Sequence, residues 1–117
     1  MTTLGKNVKI TAPQSVRTQA RAVFELLGAK LVTPMEGFDV FALEGGNIGY
    51  EYVADADALT PSQMRIAPWL EIAVADPDKS RDALAKIGLE RLEYRDKEHC
   101  YFVGPAGVVF RLAALAS

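Results

Sequence analysis

Arg111 is the residue whose setting most strongly suggests chemistry. It lies in the apolar segment GVVFRLA at 107–113, which is typical of a short strand. Because strand side chains alternate between faces, the guanidinium is expected opposite the face that carries Val108 and Phe110. A guanidinium offers five N–H donors in a rigid fork that matches a carboxylate or a phosphate. The segment therefore predicts either an anchor for an anionic ligand group or a structural ion pair.

Glu51 occupies the matching position in an internal repeat. With a shift of 60 residues, GAKLVTPMEGFDVFALEGGNIGYEYV aligns without a gap with GLERLEYRDKEHCYFVGPAGVVFRLA. Glu51 then falls on Arg111, and Phe41 falls on Tyr101. Few residues are identical, but the apolar positions and turn positions match. The chain therefore contains two copies of one supersecondary unit.

The elements upstream of each aligned segment also match. Apolar residues at three- and four-residue spacing predict a helix over 17–27, and Asp76-Pro77 marks the start of the second helix. Gly28 and Gly88 suit the left-handed position that ends a helix. Alternating strands precede the helices at 7–11 and 69–74. Each copy therefore reads strand, helix and three further strands.

The stretch between the copies has a different composition. Residues 54–68 (ADADALTPSQMRIAP) are polar, are bounded by proline and show no clear periodicity. We interpret the stretch as a linker. The predicted organisation is module one at about 5–53, the linker at 54–68 and module two at about 69–115.

Composition excludes several classes of protein. Half of the 117 residues are apolar and 24% are charged, which is an ordinary globular mixture. Thirteen Lys and Arg residues against fifteen Asp and Glu residues, without a basic block, argue against a nucleic-acid partner. The single cysteine fits a reducing compartment. No signal peptide and no apolar run of ~18 residues is evident, so we expect a cytoplasmic protein without a membrane partner.

Two βαβββ copies, together with the phrase LEIAVADPDKSRDALAKIGLE at 70–90, resemble the vicinal oxygen chelate superfamily. That superfamily contains glyoxalase I, extradiol dioxygenases, fosfomycin-resistance enzymes and bleomycin-resistance proteins. The resemblance implies one glyoxalase-like α+β domain, in which eight strands form a cupped mixed sheet and two helices cover its outer face. It also implies a homodimer.

The resemblance further implies where a metal would bind. Superfamily enzymes hold one divalent metal in the cup through His and Glu side chains, and those positions fall here on Asn7, Glu51, Trp69 and Arg111. Neither an indole nor a guanidinium offers a lone pair to a metal. We therefore expect no metal and no other cofactor at these positions.

The same resemblance brings the end strands of both modules to one cup. We predict that Arg111 pairs with Glu51 in place of the metal and that Lys9 pairs with Glu71. Trp69 would form an apolar wall. These assignments depend on strand register, because a slip of one residue reverses every face. The predicted ligand-binding residues are Asn7, Lys9, Glu51, Trp69, Glu71 and Arg111.

Three functions remain open on this basis. The first is a metal-independent protein of the glyoxalase/bleomycin-resistance type that binds a small organic ligand in the cup. The second is a lyase or isomerase that uses Glu51 as a base and Arg111 as an anion anchor. The third is a degenerate module that acts in protein interaction.

Two further residues receive structural interpretations. His99 is the sole histidine and lies beside the charged turn Asp96-Lys97-Glu98, so we expect it to be solvated and not catalytic. Cys100 is expected to be a small buried hydrophobic side chain in its strand.

Overall fold

A computed structural model describes residues 1–115. The chain divides between Leu59 and Thr60 into two compact units, unit 1 and unit 2. Unit 1 contains four strands and one helix of more than one turn: β1 (Asn7–Pro13), α1 (Arg17–Leu26), β2 (Lys30–Met35), β3 (Phe38–Leu43) and β4 (Gly46–Val53). Its strand order is β1-β4-β3-β2, with β1 parallel to β4 and the other pairs antiparallel.

Unit 2 repeats this arrangement and adds one short helix. Its sheet has the order β5-β8-β7-β6, again with one parallel pair, β5 and β8. The predicted α+β class and the βαβββ order of each copy are thus confirmed. The elements of unit 2 are α2 (Pro61–Met64), β5 (Leu70–Val74), α3 (Pro77–Lys86), β6 (Glu90–Leu92), β7 (Cys100–Val103) and β8 (Val109–Ala114).

The two long helices begin and end where the repeat predicts. Asp76 caps α3, because its carboxylate accepts the backbone N–H of Lys79 at 3.1 Å. Gly28 and Gly88 follow the helices with φ of 87° and 91°, a conformation that glycine adopts without the steric cost of a Cβ. The 60-residue offset between the copies therefore holds for the helices.

The segment interpreted as a linker, residues 54–68, contains short helical structure. The segment contains a 3₁₀ turn at Asp55–Asp57 and the helix α2. Thr60 and Gln63 form a capping box: each side chain accepts the backbone N–H of the other residue, at 3.2 and 2.9 Å. These reciprocal bonds satisfy two donors that a short helix leaves exposed, which is why α2 forms without an apolar repeat.

The hairpins that close the two sheets differ in length. In unit 1, Leu43 pairs with Gly46 across residues 44–45. In unit 2, Val103 pairs with Val109 across residues 104–108, a loop that holds a 3₁₀ turn with Ala106 at φ 69°. The register of β7 on β8 is therefore shifted by three positions relative to that of β3 on β4.

This odd shift places Phe41 and Tyr101 on opposite faces of their sheets, although the gap-free alignment matches them. Phe41 lies on the helix side of unit 1, where its ring stacks on Phe24 of α1 at 4.6 Å. Tyr101 is the register partner of Arg111 and shares its face. The alignment of these two aromatic residues as equivalents is therefore wrong, because an odd shift in pairing reverses the faces of a strand.

Each unit has its own apolar core between its long helix and its sheet. In unit 1, Tyr50 is fully buried and its ring lies 5.7 Å from that of Phe24, so Tyr50 packs under the helix α1. In unit 2, the core contains the fully buried side chains of Leu84, Phe102 and Phe110. Cys100 is half-buried at the start of β7.

Unit 1 also buries a carboxylate on its helix side. Asp39 has no exposed surface. Arg17 and Arg21 of α1 each bind it through two nitrogens, at 2.9 to 3.3 Å. Thr33 and Tyr52 donate their hydroxyls at 3.2 and 3.1 Å. Burial opposes ionisation of Asp39, but the hydrogen bonds from Arg21, Arg17 and Tyr52 outweigh it and hold its pKa well below the usual range.

Among residues 1–115, no helix is long and apolar enough to cross a membrane.

Candidate functional site

Three side chains form a row across the strands of unit 2, on the face opposite Phe102 and Phe110. Glu71 and Tyr101 are both register partners of Arg111, one on each side of β8. The Nε of Arg111 donates to the Oε2 of Glu71 at 2.8 Å, and its Nη2 binds the same oxygen. Both side chains are more than a third exposed, so this ion pair faces solvent. We call the face that carries this row the β8 face.

Asp96 joins this row from the segment between β6 and β7. Its Oδ2 lies 2.7 Å from the Nδ1 of His99, accepts the hydroxyl of Tyr101 at 2.8 Å and lies 3.7 Å from the Nη1 of Arg111. Its Oδ1 accepts the backbone N–H of Glu98 at 2.9 Å. The Glu98 N–H, then the side chains of Tyr101 and His99, lower the pKa of Asp96 to about 2.

An aromatic cluster adjoins these charges. The rings of Trp69, Tyr94 and Tyr101 contact each other, with centroids 4.8 to 5.6 Å apart in tilted and edge-on arrangements. The indole N–H of Trp69 donates to the backbone oxygen of Arg65 at 2.8 Å, which fixes the ring. Trp69 and Tyr94 are half-buried, whereas Tyr101 is buried. The β8 face thus combines a partly exposed aromatic surface with a fixed set of charged groups.

The predicted residues of unit 1 form a separate polar row. The ammonium of Lys9 lies 2.8 Å from the Oε1 of Glu51, with both side chains about half exposed. The side chain of Asn7 accepts the amide N–H of Asn47 at 2.9 Å. These contacts leave Glu51 ion-paired within its own unit.

The predicted ion pairs between residues of different copies are wrong. We expected Arg111 to bind Glu51 and Lys9 to bind Glu71, but Arg111 binds Glu71 and Lys9 binds Glu51. The reason is the parallel pairing of β5 and β8, which brings Glu71 directly beside Arg111 in register. Each cation therefore has a nearby carboxylate inside its own unit.

Sequence reasoning also missed part of the β8 face. His99 was expected to be solvated, but its Nδ1 binds Asp96, and its side chain is 32% exposed. The Asp96-Lys97-Glu98 turn was interpreted only as a charged turn. The signal was present in the alternation: His99 and Tyr101 are two residues apart, so in an extended chain they share a face. Their common acceptor, Asp96, precedes them on the same hairpin.

Comparisons with known proteins identify the fold. A candidate glyoxalase family protein from Bacillus anthracis superposes with a TM-score of 0.73 at 18% identity, covering 96% of this chain and 94% of that one. A fosfomycin resistance protein from Listeria monocytogenes gives a TM-score of 0.72 at 13% identity, covering 99% and 96%. The chain has the fold of the vicinal oxygen chelate superfamily.

A third structure with this fold is the bleomycin resistance determinant encoded on transposon Tn5. It superposes with a TM-score of 0.63 at 15% identity, covering 98% of this chain and all of that one. No family model and no curated protein sequence matches the chain. At these identities the likeness concerns the vicinal oxygen chelate fold and does not assign an activity.

The residues at the metal positions of this fold do not fit a divalent metal. Within residues 1–115, no group of three or more His, Cys, Asp or Glu side chains is placed to hold an ion. The carboxylate of Glu51 is bound by an ammonium, and Arg111 presents a guanidinium, which would repel a dication. One carboxylate and one amide among four positions are too few donors for a transition-metal site.

Proposed function

We propose that this protein binds a small planar organic molecule on the β8 face without using a metal. Trp69 would provide the apolar wall, and the Arg111–Glu71 pair would provide the polar anchors. The observation that carries the proposal is the contact between a half-exposed aromatic cluster and a fixed ion-pair network on one face of the sheet. Ligand sites typically combine an apolar, aromatic lining with a few positioned polar groups.

The charges of the β8 face suggest which groups of a ligand would be recognised. Glu71 occupies two nitrogens of Arg111, and the third lies 3.7 Å from Asp96, beyond ordinary hydrogen-bond distance. Arg111 also interacts with the hydroxyl of Tyr101, so a ligand acceptor would share the guanidinium, whose side chain is 39% exposed, with these groups. Two carboxylates against one guanidinium also favour a ligand that carries a donor. We therefore propose a planar ligand with both an acceptor and a donor at its rim.

The polar row of unit 1 was also predicted to bind a ligand. We propose that Asn7, Lys9 and Glu51 also contact small molecules, as their positions in the fold imply, although their partners differ from those expected. Homodimer formation stays a prediction that follows from the resemblance, and a cytoplasmic location stays a prediction from the composition. The superfamily fold supports binding as the general function, since two of its three relatives described above are antibiotic resistance proteins.

Fluorescence tests the proposal directly, because Trp69 is the only tryptophan in the sequence. We would titrate the protein, in the presence of a chelator, with benzamide, benzoate and benzamidine, which share one ring but differ in charge. We expect saturable quenching of Trp69 emission, strongest for benzamide, because its amide carries both an acceptor for Arg111 and a donor for the carboxylates. Calorimetry on the same three compounds would give the affinities independently.

The matched variants are Arg111→Gln and Arg81→Gln. Arg81 is also paired with carboxylates, Asp78 and Asp82, but it lies on α3. We expect Arg111→Gln to weaken binding at least tenfold and Arg81→Gln to leave it unchanged. Absence of saturable quenching by all three compounds, or equal loss in both variants, would contradict binding at the β8 face.

A further inference from the structure

We infer that His99 is a general base on the β8 face, held in its working orientation by Asp96. The inference rests on the proposed function, because the base would act on a molecule bound beside Trp69. It assigns an activity to a residue that neither the metal positions of the fold nor the predicted polar rows include. The ligand class is a planar carbon acid, that is, a molecule with a C–H bond next to an electron-withdrawing group.

The contact with Asp96 fixes the tautomer of the imidazole. The Nδ1 of His99 lies 2.7 Å from a carboxylate oxygen, and a carboxylate that is ionised can only accept a hydrogen bond. The Glu98 N–H and the Tyr101 hydroxyl both donate to Asp96, so its negative charge is stabilised. Nδ1 must then carry the proton, and the neutral imidazole presents its lone pair at Nε2.

The His99 side chain is partly open to solvent, with 32% of its surface exposed. Throughout the described part of the chain, the only hydrogen-bond partner of the ring is Asp96, through Nδ1. An oriented imidazole with an open second nitrogen is the arrangement that general bases require, in which a third group holds the base in place.

Arg111 supplies the charge that proton removal needs. Its Nη1 lies 3.7 Å from the same Asp96 oxygen that binds His99, so the guanidinium and the imidazole lie around one atom. In the proposed step, the C–H proton transfers to Nε2. The electron pair of that bond moves into the ligand towards its electron-withdrawing oxygen. The guanidinium would balance the negative charge that develops there.

A purely structural role would use the same contacts differently. Asp96 could tie the segment between β6 and β7 to the sheet through His99 and Tyr101, without any proton transfer. Such a role predicts a loss of stability on mutation but no dependence of a reaction rate on the imidazole. The two interpretations therefore differ in a measurable way.

The ring opening of 5-nitrobenzisoxazole distinguishes a catalytic from a purely structural role of His99. A base removes the single hydrogen on the carbon next to the ring nitrogen, the C–H electrons form a nitrile, and the N–O bond breaks to give a coloured phenolate. The probe is planar and needs no metal or other reactant. We expect a rate above that of buffer and at least tenfold lower kcat in His99→Gln. KM should change little, because Trp69 and Arg111 are intact.

Nitrogen NMR tests the orientation in the unmodified protein, since His99 is the only histidine. We expect the neutral ring to carry its proton on Nδ1, the reverse of the tautomer that free imidazole side chains favour. In Asp96→Asn the other tautomer should gain population and kcat should fall, which identifies Asp96 as a positioning residue. A dominant Nε2–H tautomer in the unmodified protein would overturn the inference even if a variant failed to fold.

The outcomes also separate this inference from the proposed function. If the probe quenches Trp69 but His99→Gln keeps the full rate, binding stands and the base assignment is wrong. If the probe neither quenches Trp69 nor reacts, the base assignment is wrong, and the titrations with benzamide, benzoate and benzamidine decide separately whether binding stands. Arg81→Gln serves as the control and should retain the full rate, because its ion pairs lie on α3.

Discussion

Each unit holds one carboxylate with several hydrogen-bond donors, and the two differ mainly in burial. Asp39 in unit 1 accepts hydrogen bonds from two guanidinium groups and two hydroxyls on the helix side of the sheet, with no exposed surface. Asp96 in unit 2 is bound by a backbone N–H, a phenol and an imidazole on the opposite side, and its side chain is 25% exposed.

The difference in burial decides what each hydrogen-bond network can do. A fully buried network only stabilises the fold, whereas a partly exposed network can contact a ligand. All donors to Asp39 point inward onto a carboxylate that no solute can reach, so the cluster joins α1 to its sheet. The groups bound to Asp96 include the partly exposed imidazole of His99, whose second nitrogen has no hydrogen-bond partner among the described residues. A carboxylate with several donors thus supports packing in one unit and a proposed reaction in the other.

The sharpest test of the contrast is Asp39→Ala. Removing the carboxylate leaves two guanidinium groups and two hydroxyls without their acceptor, so we expect a loss of about 3 kcal/mol in the free energy of unfolding. Urea denaturation followed by circular dichroism would measure it. Glu25→Ala, an exposed position on the same helix α1, is the control and should change stability by less than about 0.5 kcal/mol. A loss below about 1 kcal/mol for Asp39→Ala would show that the Asp39 cluster does not hold α1 on its sheet.

The second test concerns the longer hairpin of unit 2. A Cβ at Gly104 would lie 2.3 Å from the Phe110 ring, which is fully buried and has no room to retreat. We expect Gly104→Ala to lower the free energy of unfolding by about 2 kcal/mol. We also expect weaker ligand binding on the β8 face, because the loop sets the register of Tyr101. Gly5→Ala, where a Cβ would meet no atom within 4 Å, should be neutral. Equal melting temperatures for the two variants would show that the hairpin tolerates a shift.

The third test uses acid. The pKa of Asp39 is lowered in the folded state, so its contribution to stability is present above the unfolded value near 4 and is lost as the pH falls below it. We expect stability to fall below pH 4 by at most about 1.4 kcal/mol per pH unit from this one group. Asp39→Asn should have a flatter profile over that range. If stability falls with pH equally steeply in Asp39→Asn and in the unmodified protein, other carboxylates cause the acid sensitivity.

The repeat predicted most of the fold because local signals set it. The Asp-Pro start of α3, the glycine after each helix and the alternation of the strands act within a few residues, so they can be read directly. The sequence did not predict the helix α2, because a helix of one turn shows no apolar periodicity. Its signal is the capping box in Thr60-Pro61-Ser62-Gln63.

The site was harder to predict because it depends on register. The face of Arg111 followed from alternation, but its partner depends on which residue of β5 lies beside it, and this is Glu71. Tyr101 aligned with Phe41 in the repeat, but the longer hairpin of unit 2 places it on the opposite face. Alternation places His99 on the face of Tyr101, but its contact with Asp96 depends on the path of the Asp96 segment, for which no periodic signal exists.

The parallel pairing inside each unit has a consequence for folding. β1 pairs with β4, and β5 pairs with β8, so the contacts Asn7–Asn47 and Glu71–Arg111 each close a span of 40 residues. Such distant contacts form slowly, and two similar copies in one chain invite pairing between the wrong strands. Synthesis from the N-terminus offsets this hazard. All four strands of unit 1 have been made by Val53, and they can pair before the first strand of unit 2 exists.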